Sequence, residues 1–221
     1  MTDLKKVVIA GASGMIGSLI LENCLDHHLV SEVISLVRRK SEKNHAKLTE
    51  VLMEDFTKYD AIEDVLVEVD IAFFCIGAYT GAVPDTEFKK ITVDYAVEFA
   101  KLLRKTSPNA TFCLLSGAGA DRTEKSKMAF AKYKGMAENQ IARLGFESCH
   151  FFRPGYIYPV EKRREPNISY RLMRTLYPLI KIFGKNMSIK STQLSEAMVK
   201  VGLEGHKQEV LENKDILNIL S

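Results

Sequence analysis

Gly11, Gly14 and Gly17 lie in the run Gly11-Ala12-Ser13-Gly14-Met15-Ile16-Gly17, a GxxGxxG spacing. The chemistry this spacing serves is anion binding. Glycine lets the backbone turn tightly and come close to a pyrophosphate. A helix opening there offers unpaired N–H groups and the positive end of its dipole. Gly17 suits close helix–strand packing, and Ser13 adds a hydroxyl donor. A second set follows about twenty residues on, where an acid for a ribose 2′-hydroxyl would mark an NAD site. The chain instead reads Leu36-Val37-Arg38-Arg39-Lys40, with no Asp or Glu until Glu42. Guanidinium groups match phosphate in a bidentate fork. Together the two sets predict a dinucleotide site, with Arg38 and Arg39 pointing to NADPH. Asp55 and Phe56 are candidates for holding the adenine, as carboxylate and ring, or else form an ordinary loop.

The elements around these residues alternate. Val7 to Ala10 is a continuous apolar run before the first glycine, which reads as a strand buried on both faces. A helix is expected from about Gly14 to His27, then strands at Val33–Val37 and near Leu48–Met53, and a short helix over Asp60–Glu68. Ile71 to Ile76 reads as a strand ending at Gly77, and Cys75, Ile76 and Gly77 should pass close to the adenosine and ribose. Pro84 opens a helical stretch to about Lys105. Phe112 to Leu115 is the next strand, followed by a helix from about Ser126 to Leu144 and a strand at Ser148–Arg153. Strand–helix alternation implies right-handed crossovers and an α/β doubly wound parallel sheet. The expected organisation is one Rossmann domain over 1–221, with 158–221 forming a small substrate-side cap.

The motifs GASGMIG, LVRRK, FFCIGAYTGAV, LLSGAGAD, FAKYKGMAE and FFRPG, in this order over roughly residues 5–157, carry a resemblance. The chain resembles the short-chain dehydrogenase/reductase superfamily, in its atypical, NmrA-like and epimerase-like branch, which includes the Tat-interacting protein oxidoreductases. That resemblance implies a Ser–Tyr–Lys catalytic set with a YxxxK spacing. The matching positions are Ser116 and Lys134, but the tyrosine position holds Phe130. Ser126, Phe130 and Lys134 should share a helix face. Tyr133, next to Lys134, would replace the missing hydroxyl only if the helix were turned, and Tyr79 is a further hydroxyl in the loop after the fourth strand. Leu115, Lys134, Pro154, Gly155 and Ile157 are expected along the cofactor. The resemblance thus implies an NADPH-dependent oxidoreductase on a small carbonyl-type substrate. The alternative is a non-catalytic NADPH-sensing protein that acts through a protein partner.

Bulk properties exclude other classes. The 221 residues carry a net charge of +3, with 46% hydrophobic and 27% charged residues. That is too evenly spread for nucleic-acid binding, which needs a concentrated basic surface. Cys24, Cys75, Cys113 and Cys149 show no metal-ligand spacing and read as free thiols in a reducing compartment. No metal is expected. No apolar run reaches the length of a membrane span, and the N-terminus lacks a signal-peptide pattern. The cytoplasm is the expected location. Oligomeric state has no signature in the pattern.

Overall fold

Val7, Val8, Ile9 and Ala10 are completely buried, as their continuous apolar run requires of a central strand. The computed structural model describes residues 4–160 and 187–221. In it β1 (Lys5–Ala10) is followed by α1 (Met15–Asp26), β2 (Val30–Val37), β3 (Leu48–Leu52), a 3-10 helix (Asp60–Leu66) and β4 (Ile71–Phe74). Then come α2 (Asp85–Lys89), a π-helical turn (Lys90–Asp94), α3 (Tyr95–Thr106), β5 (Thr111–Leu115), α4 (Ala129–Ala142) and β6 (Ser148–Arg153). The described remainder holds β7 (Tyr156–Tyr158), β8 (Ser188–Lys190), α5 (Ser191–Glu204), β9 (Val210–Glu212) and α6 (Asn213–Asn218). The expected stretch from Pro84 to Lys105 is therefore interrupted by a π turn, and the helix expected from Ser126 starts at Ala129.

The main sheet is seven-stranded, in the order β3-β2-β1-β4-β5-β6-β9. Every neighbouring pair is parallel. The order reverses between β1 and β4, the switch point at which such sheets bind ligands. Alternation along the strands divides the core. Val8, Ala10, Phe74, Phe112 and Leu114 pack with Phe99, Leu103 and Ile141 on one face. Val7, Ile9, Phe73, Cys113 and Phe152 pack with Ile16, Ile20, Leu194 and Met198 on the other. Each large apolar side chain so buried contributes about 1.5–3 kcal/mol.

The 158–221 stretch divides. Residues 161–186, including the basic Glu161–Pro166 segment, lie outside the described residues. Its described C-terminal part builds onto the main layers. α5 packs beside α1, with Leu194, Ala197 and Met198 in the second core face, and β9 extends the sheet. β7 and β8 form a separate two-stranded parallel pair.

His150 fastens β6 to the segment before β9. It is buried, with Nδ1 3.0 Å from the Gln208 carbonyl oxygen and Nε2 3.0 Å from Ser148 Oγ. A carbonyl only accepts, so Nδ1 carries the proton and Nε2 accepts from the serine. Burial holds its pKa below the ordinary 6.5. The unfolded chain therefore binds a proton that the folded chain refuses as pH falls through 6.5, and stability is lost in that window. The urea midpoint of the wild type should fall between pH 7 and pH 5. His150→Gln should be less stable at pH 7 and show a smaller fall, and parallel curves would contradict this account.

Candidate functional site

Two cavities lie at the C-terminal ends of the strands. The first holds about 330 Å³ and is lined by Gly11, Ser13 and Gly14 from the glycine loop. Arg38 at the end of β2, Phe56, and Cys75, Ile76 and Gly77 after β4 also line it. Gly11 has φ +94°, and a Cβ there would stand 2.9 Å from the Cys75 carbonyl carbon. A Cβ at Gly17 would stand 2.1 Å from the Gly11 oxygen. The loop thus admits no side chain at either point. Gly14 caps α1 without a side-chain bond, and the first turn carries no acid. Its N–H groups and dipole are left to an anion.

Several expected cofactor residues fall elsewhere. Ile16 is a core residue, and Gly17 acts through packing. Arg39 is exposed and does not line the cavity as Arg38 does. Asp55 is turned into its own loop, accepting from Thr57 N at 2.9 Å and Thr57 Oγ1 at 2.7 Å. Those bonds hold its pKa below the usual carboxylate value. The neighbouring Glu54 lines the cavity in its place. Glu87, Ile91 and Tyr95 also line it. They lie across α2, the π turn and the start of α3, where a π turn re-aims one helix face.

The second cavity holds about 210 Å³. It brings together Met15, Ser116, Phe130, Pro154, Gly155 and Ile157, with Tyr79 and Tyr156. The nearest atom to a Cβ built on Gly117 is Phe130 Cζ, at 2.4 Å. The para edge of the phenyl ring therefore rests against Gly117, beside Ser116. Gly155 is equally constrained, since a Cβ there would stand 2.2 Å from the Met187 oxygen. Tyr133 is not part of this cavity. Its hydroxyl donates to Asp85 Oδ2 at 2.6 Å, and that bond raises its pKa, the wrong direction for an acid. The helix is not turned as a replacement by Tyr133 would need. Ser126 lies before α4 and so does not share its face.

α4 carries a row at i, i+4 and i+8 that deepens from the half-buried Phe130. After Phe130 come Lys134 and Glu138, the last wholly buried. Lys134 Nζ donates to the Leu115 carbonyl at 2.9 Å. Burial lowers its pKa from 10.5 to about 8, with Glu138 and Cys75 holding it from falling further. Glu138 closes the FAKYKGMAE motif, yet the resemblance gave it no role. It accepts from Ser116 Oγ at 2.5 Å, from Arg153 Nε at 3.0 Å and Nη2 at 2.6 Å, and from Arg122 Nε at 2.9 Å. Burial pushes its pKa up, but the Arg153 bonds, then those of Ser116 and Arg122, outweigh this and leave it below the usual value. Arg153 continues to Glu212 at 2.9 Å and Arg122 to Glu209 at 2.5 Å. The signal available in sequence was an acid four residues after Lys134 on a core-facing stripe, together with the arginine of FFRPG. Among the described residues no cluster of three or more His, Cys, Asp or Glu is placed to hold a metal.

A sequence profile described as the NAD dependent epimerase/dehydratase family matches residues 7–193. Protein HTATIP2 of Rattus norvegicus is 29% identical over 220 residues, covering 97% of this chain and 89% of that protein. Protein fmp52-1, mitochondrial, of Aspergillus oryzae is 28% identical over 168 residues, covering 74% and 70%. The location in that name differs from the cytoplasm expected for this chain. Among the described residues no helix is long and apolar enough to cross a membrane. Gre2 from Candida albicans, solved in complex with NADPH, superposes with a TM-score of 0.72 at 14% identity, covering 94% of this chain and 77% of that one. The Bordetella bronchiseptica enzyme WbmF, solved with NAD+, gives 0.69 at 12% identity, covering 98% and 77%. These structures share the fold, as the motif resemblance led one to expect.

Removing one partner of a buried ion pair leaves the others uncompensated and costs about 3–5 kcal/mol. Glu138→Ala should therefore lower the unfolding free energy by about 3 kcal/mol or more in urea titration. A loss under about 1 kcal/mol, the scale of a surface pair, would show that the network is not buried in solution.

Proposed function

The chain belongs to the NAD dependent epimerase/dehydratase family, and on that premise we propose that it is an NADPH-binding oxidoreductase acting on a small carbonyl-type substrate. The observation that carries the reading is the glycine cradle, closed to any side chain at Gly11 and Gly17, with Arg38 lining the same cavity. The cradle fits a pyrophosphate, and Arg38, helped by Arg39, fits a 2′-phosphate. Bound NADPH supplies a hydride. The chain's own residues do the rest. Lys134, fixed to Leu115, is the residue that would hold the ribose, and the cavity of Ser116, Met15, Pro154 and Ile157 would orient the substrate. Phe130 has no proton to give. Tyr79 brings a phenol to that cavity and is the group we assign to proton transfer.

The placement of Phe130 also favours a second reading. A ring resting on Gly117 without a hydroxyl suits a protein that binds NADPH without turnover and reports the bound state to a protein partner.

Ligand at 100 times its Kd adds about 2.7 kcal/mol of stability. At roughly 2–4 °C per kcal/mol for a chain of this size, NADPH should raise Tm by about 5–10 °C. NADH should raise it less, and Arg38→Ala with Arg39→Ala should remove the difference. Equal shifts in the wild type would refute the NADPH preference, and no shift with either would refute the cofactor site. A general acid contributes about 10²–10⁴-fold. Across a carbonyl panel, Tyr79→Phe should therefore lower kcat for NADPH oxidation by about tenfold or more. Phe130→Tyr should raise it once the ring draws back from Gly117. Cofactor binding with no turnover in any of the three proteins would favour the sensing role.

A further inference from the structure

The charged side chains at the strand ends divide unevenly between the two cavities. Arg38, Glu54 and Glu87 line the first. None of the described residues that line the second carries a charge. Met15, Phe130, Pro154, Ile157 and Pro159 make its apolar wall, and its side-chain hydroxyls are those of Ser116, Tyr79 and Tyr156. Two neighbouring cations are engaged elsewhere. Lys134, four residues after Phe130, donates to the Leu115 carbonyl, and Arg153, next to Pro154, pairs with Glu138 and Glu212. The apolar character continues past the cavity. Six large hydrophobic side chains are exposed among the described residues, and three of them adjoin residues of this wall. Met128 stands two residues before Phe130, and Val160 follows Pro159. Met187 accepts through its carbonyl from Tyr156 N at 2.9 Å. Single exposed hydrophobic residues are ordinary, but three beside one uncharged cavity point to an apolar ligand.

We infer that the second cavity selects an uncharged carbonyl compound with an apolar body over carbonyls that bear a carboxylate, a phosphate or a set of hydroxyls. The inference rests on the reading of this cavity as the substrate site and names the substrate class that the site takes. Its physical basis is desolvation. A carboxylate or phosphate that enters gives up its water and meets no cation on this wall, and a buried charge without a partner is strongly disfavoured. Each hydroxyl of a sugar needs a hydrogen-bond partner once it leaves water, and a wall with three side-chain hydroxyls has few to offer. A simple ketone or aldehyde needs one donor, which a phenol such as Tyr79 supplies. Its hydrocarbon part gains from burial against Met15, Phe130 and Ile157. Sites discriminate between analogues largely through the polar groups that one of them leaves unpaired.

Four ketones on one six-membered ring make the test: cyclohexanone, 4-isopropylcyclohexanone, 4-oxocyclohexanecarboxylate and a pentahydroxycyclohexanone. The isopropyl group matches the carboxylate in size and branching, so charge is the variable. Each ketone is titrated by ligand-observed NMR at pH 7 into cofactor-free and NADP+-loaded protein. Binding needs no turnover, and the cofactor-free arm stands even for a chain that takes no nicotinamide, which separates failure here from failure of the cofactor reading. 4-Isopropylcyclohexanone should bind about a hundredfold more tightly than 4-oxocyclohexanecarboxylate, the scale of an unpaired buried charge. It should also bind about fourfold or more tightly than cyclohexanone, the gain from one buried methylene. The polyhydroxylated ring should bind about tenfold or more weakly than cyclohexanone. Ile157→Arg puts a cation into the same wall and should narrow the isopropyl-to-carboxylate ratio about tenfold or more, the worth of a hydrogen bond to a charged group. Where that variant does not fold, Met15→Lys makes the same change at the start of α1, read in cofactor-free protein. A wild-type ratio near one, tighter binding of the carboxylate or the polyol, no binding of any of the four, or a ratio unmoved in a folded cation variant would each overturn the inference. Should neither variant fold, the wild-type ratios decide.

Discussion

A carboxylate with no exposure sits at the centre of this protein's C-terminal strand ends. Glu138 is stable there only because charge and hydrogen bonds surround it: two from Arg153, one from Arg122, one from Ser116. Burying an ion without such partners costs several kcal/mol. Each partner comes from a different part of the chain. Ser116 follows β5, Arg122 lies in the loop before α4, and Arg153 ends β6. Arg122 and Arg153 reach on to Glu209 and Glu212 at the sheet edge. Neutralising one buried charge thus fixes α4, two strand ends and the last strand relative to one another. The walls of the second cavity inherit that fixity.

The first cavity depends on a different constraint. There the limiting quantity is the distance between backbones, set by the close passage of α1 over Gly11 and of Gly11 over Cys75. At the glycine turn the wall of that cavity is mainly backbone, because neither Gly11 nor Gly17 leaves room for a side chain. Met15 links the two halves. Met15 opens α1 yet lines the second cavity. Lys134 ties α4 to the Leu115 carbonyl, and its burial leaves a pKa of about 8, so its charge is sensitive to whatever anion or hydroxyl is brought near it.

The consequence for function lies between these halves. A binding site built from peptide groups and one guanidinium tolerates change in the chemistry next to it. Phe130 belongs to that neighbouring chemistry: its ring rests against Gly117 and gives the cavity wall no ionisable group. Proton transfer then falls to a phenol from elsewhere, or does not occur. The fold admits both outcomes, because function is decided by site residues rather than by the sheet that carries them.

Much of the cofactor half was legible in the sequence, because its determinants are local. The glycine spacing, the preceding apolar run and the absence of an acid before Glu42 are properties of contiguous residues, and the sheet order follows from strand–helix alternation with right-handed crossovers. Asp55 is held locally as well, since its Oδ1 accepts from Thr57 two residues on, a contact of the kind its spacing allows. The rest depended on contacts between distant residues. Helix periodicity places Phe130 and Lys134 on one face and extends that row to Glu138, but not which arginines meet the acid. Arg153 lies 15 residues away and Arg122 lies 16. Whether Tyr133 or Tyr79 faces Ser116 is likewise set by how α4 is rotated against α2 and the loop after β4. Sequence alone determined the glycine turn at the head of α1 and the phenylalanine four residues before Lys134. Only the tertiary structure decided which side chains wall each cavity, because those residues come from strand ends and loops far apart in the chain.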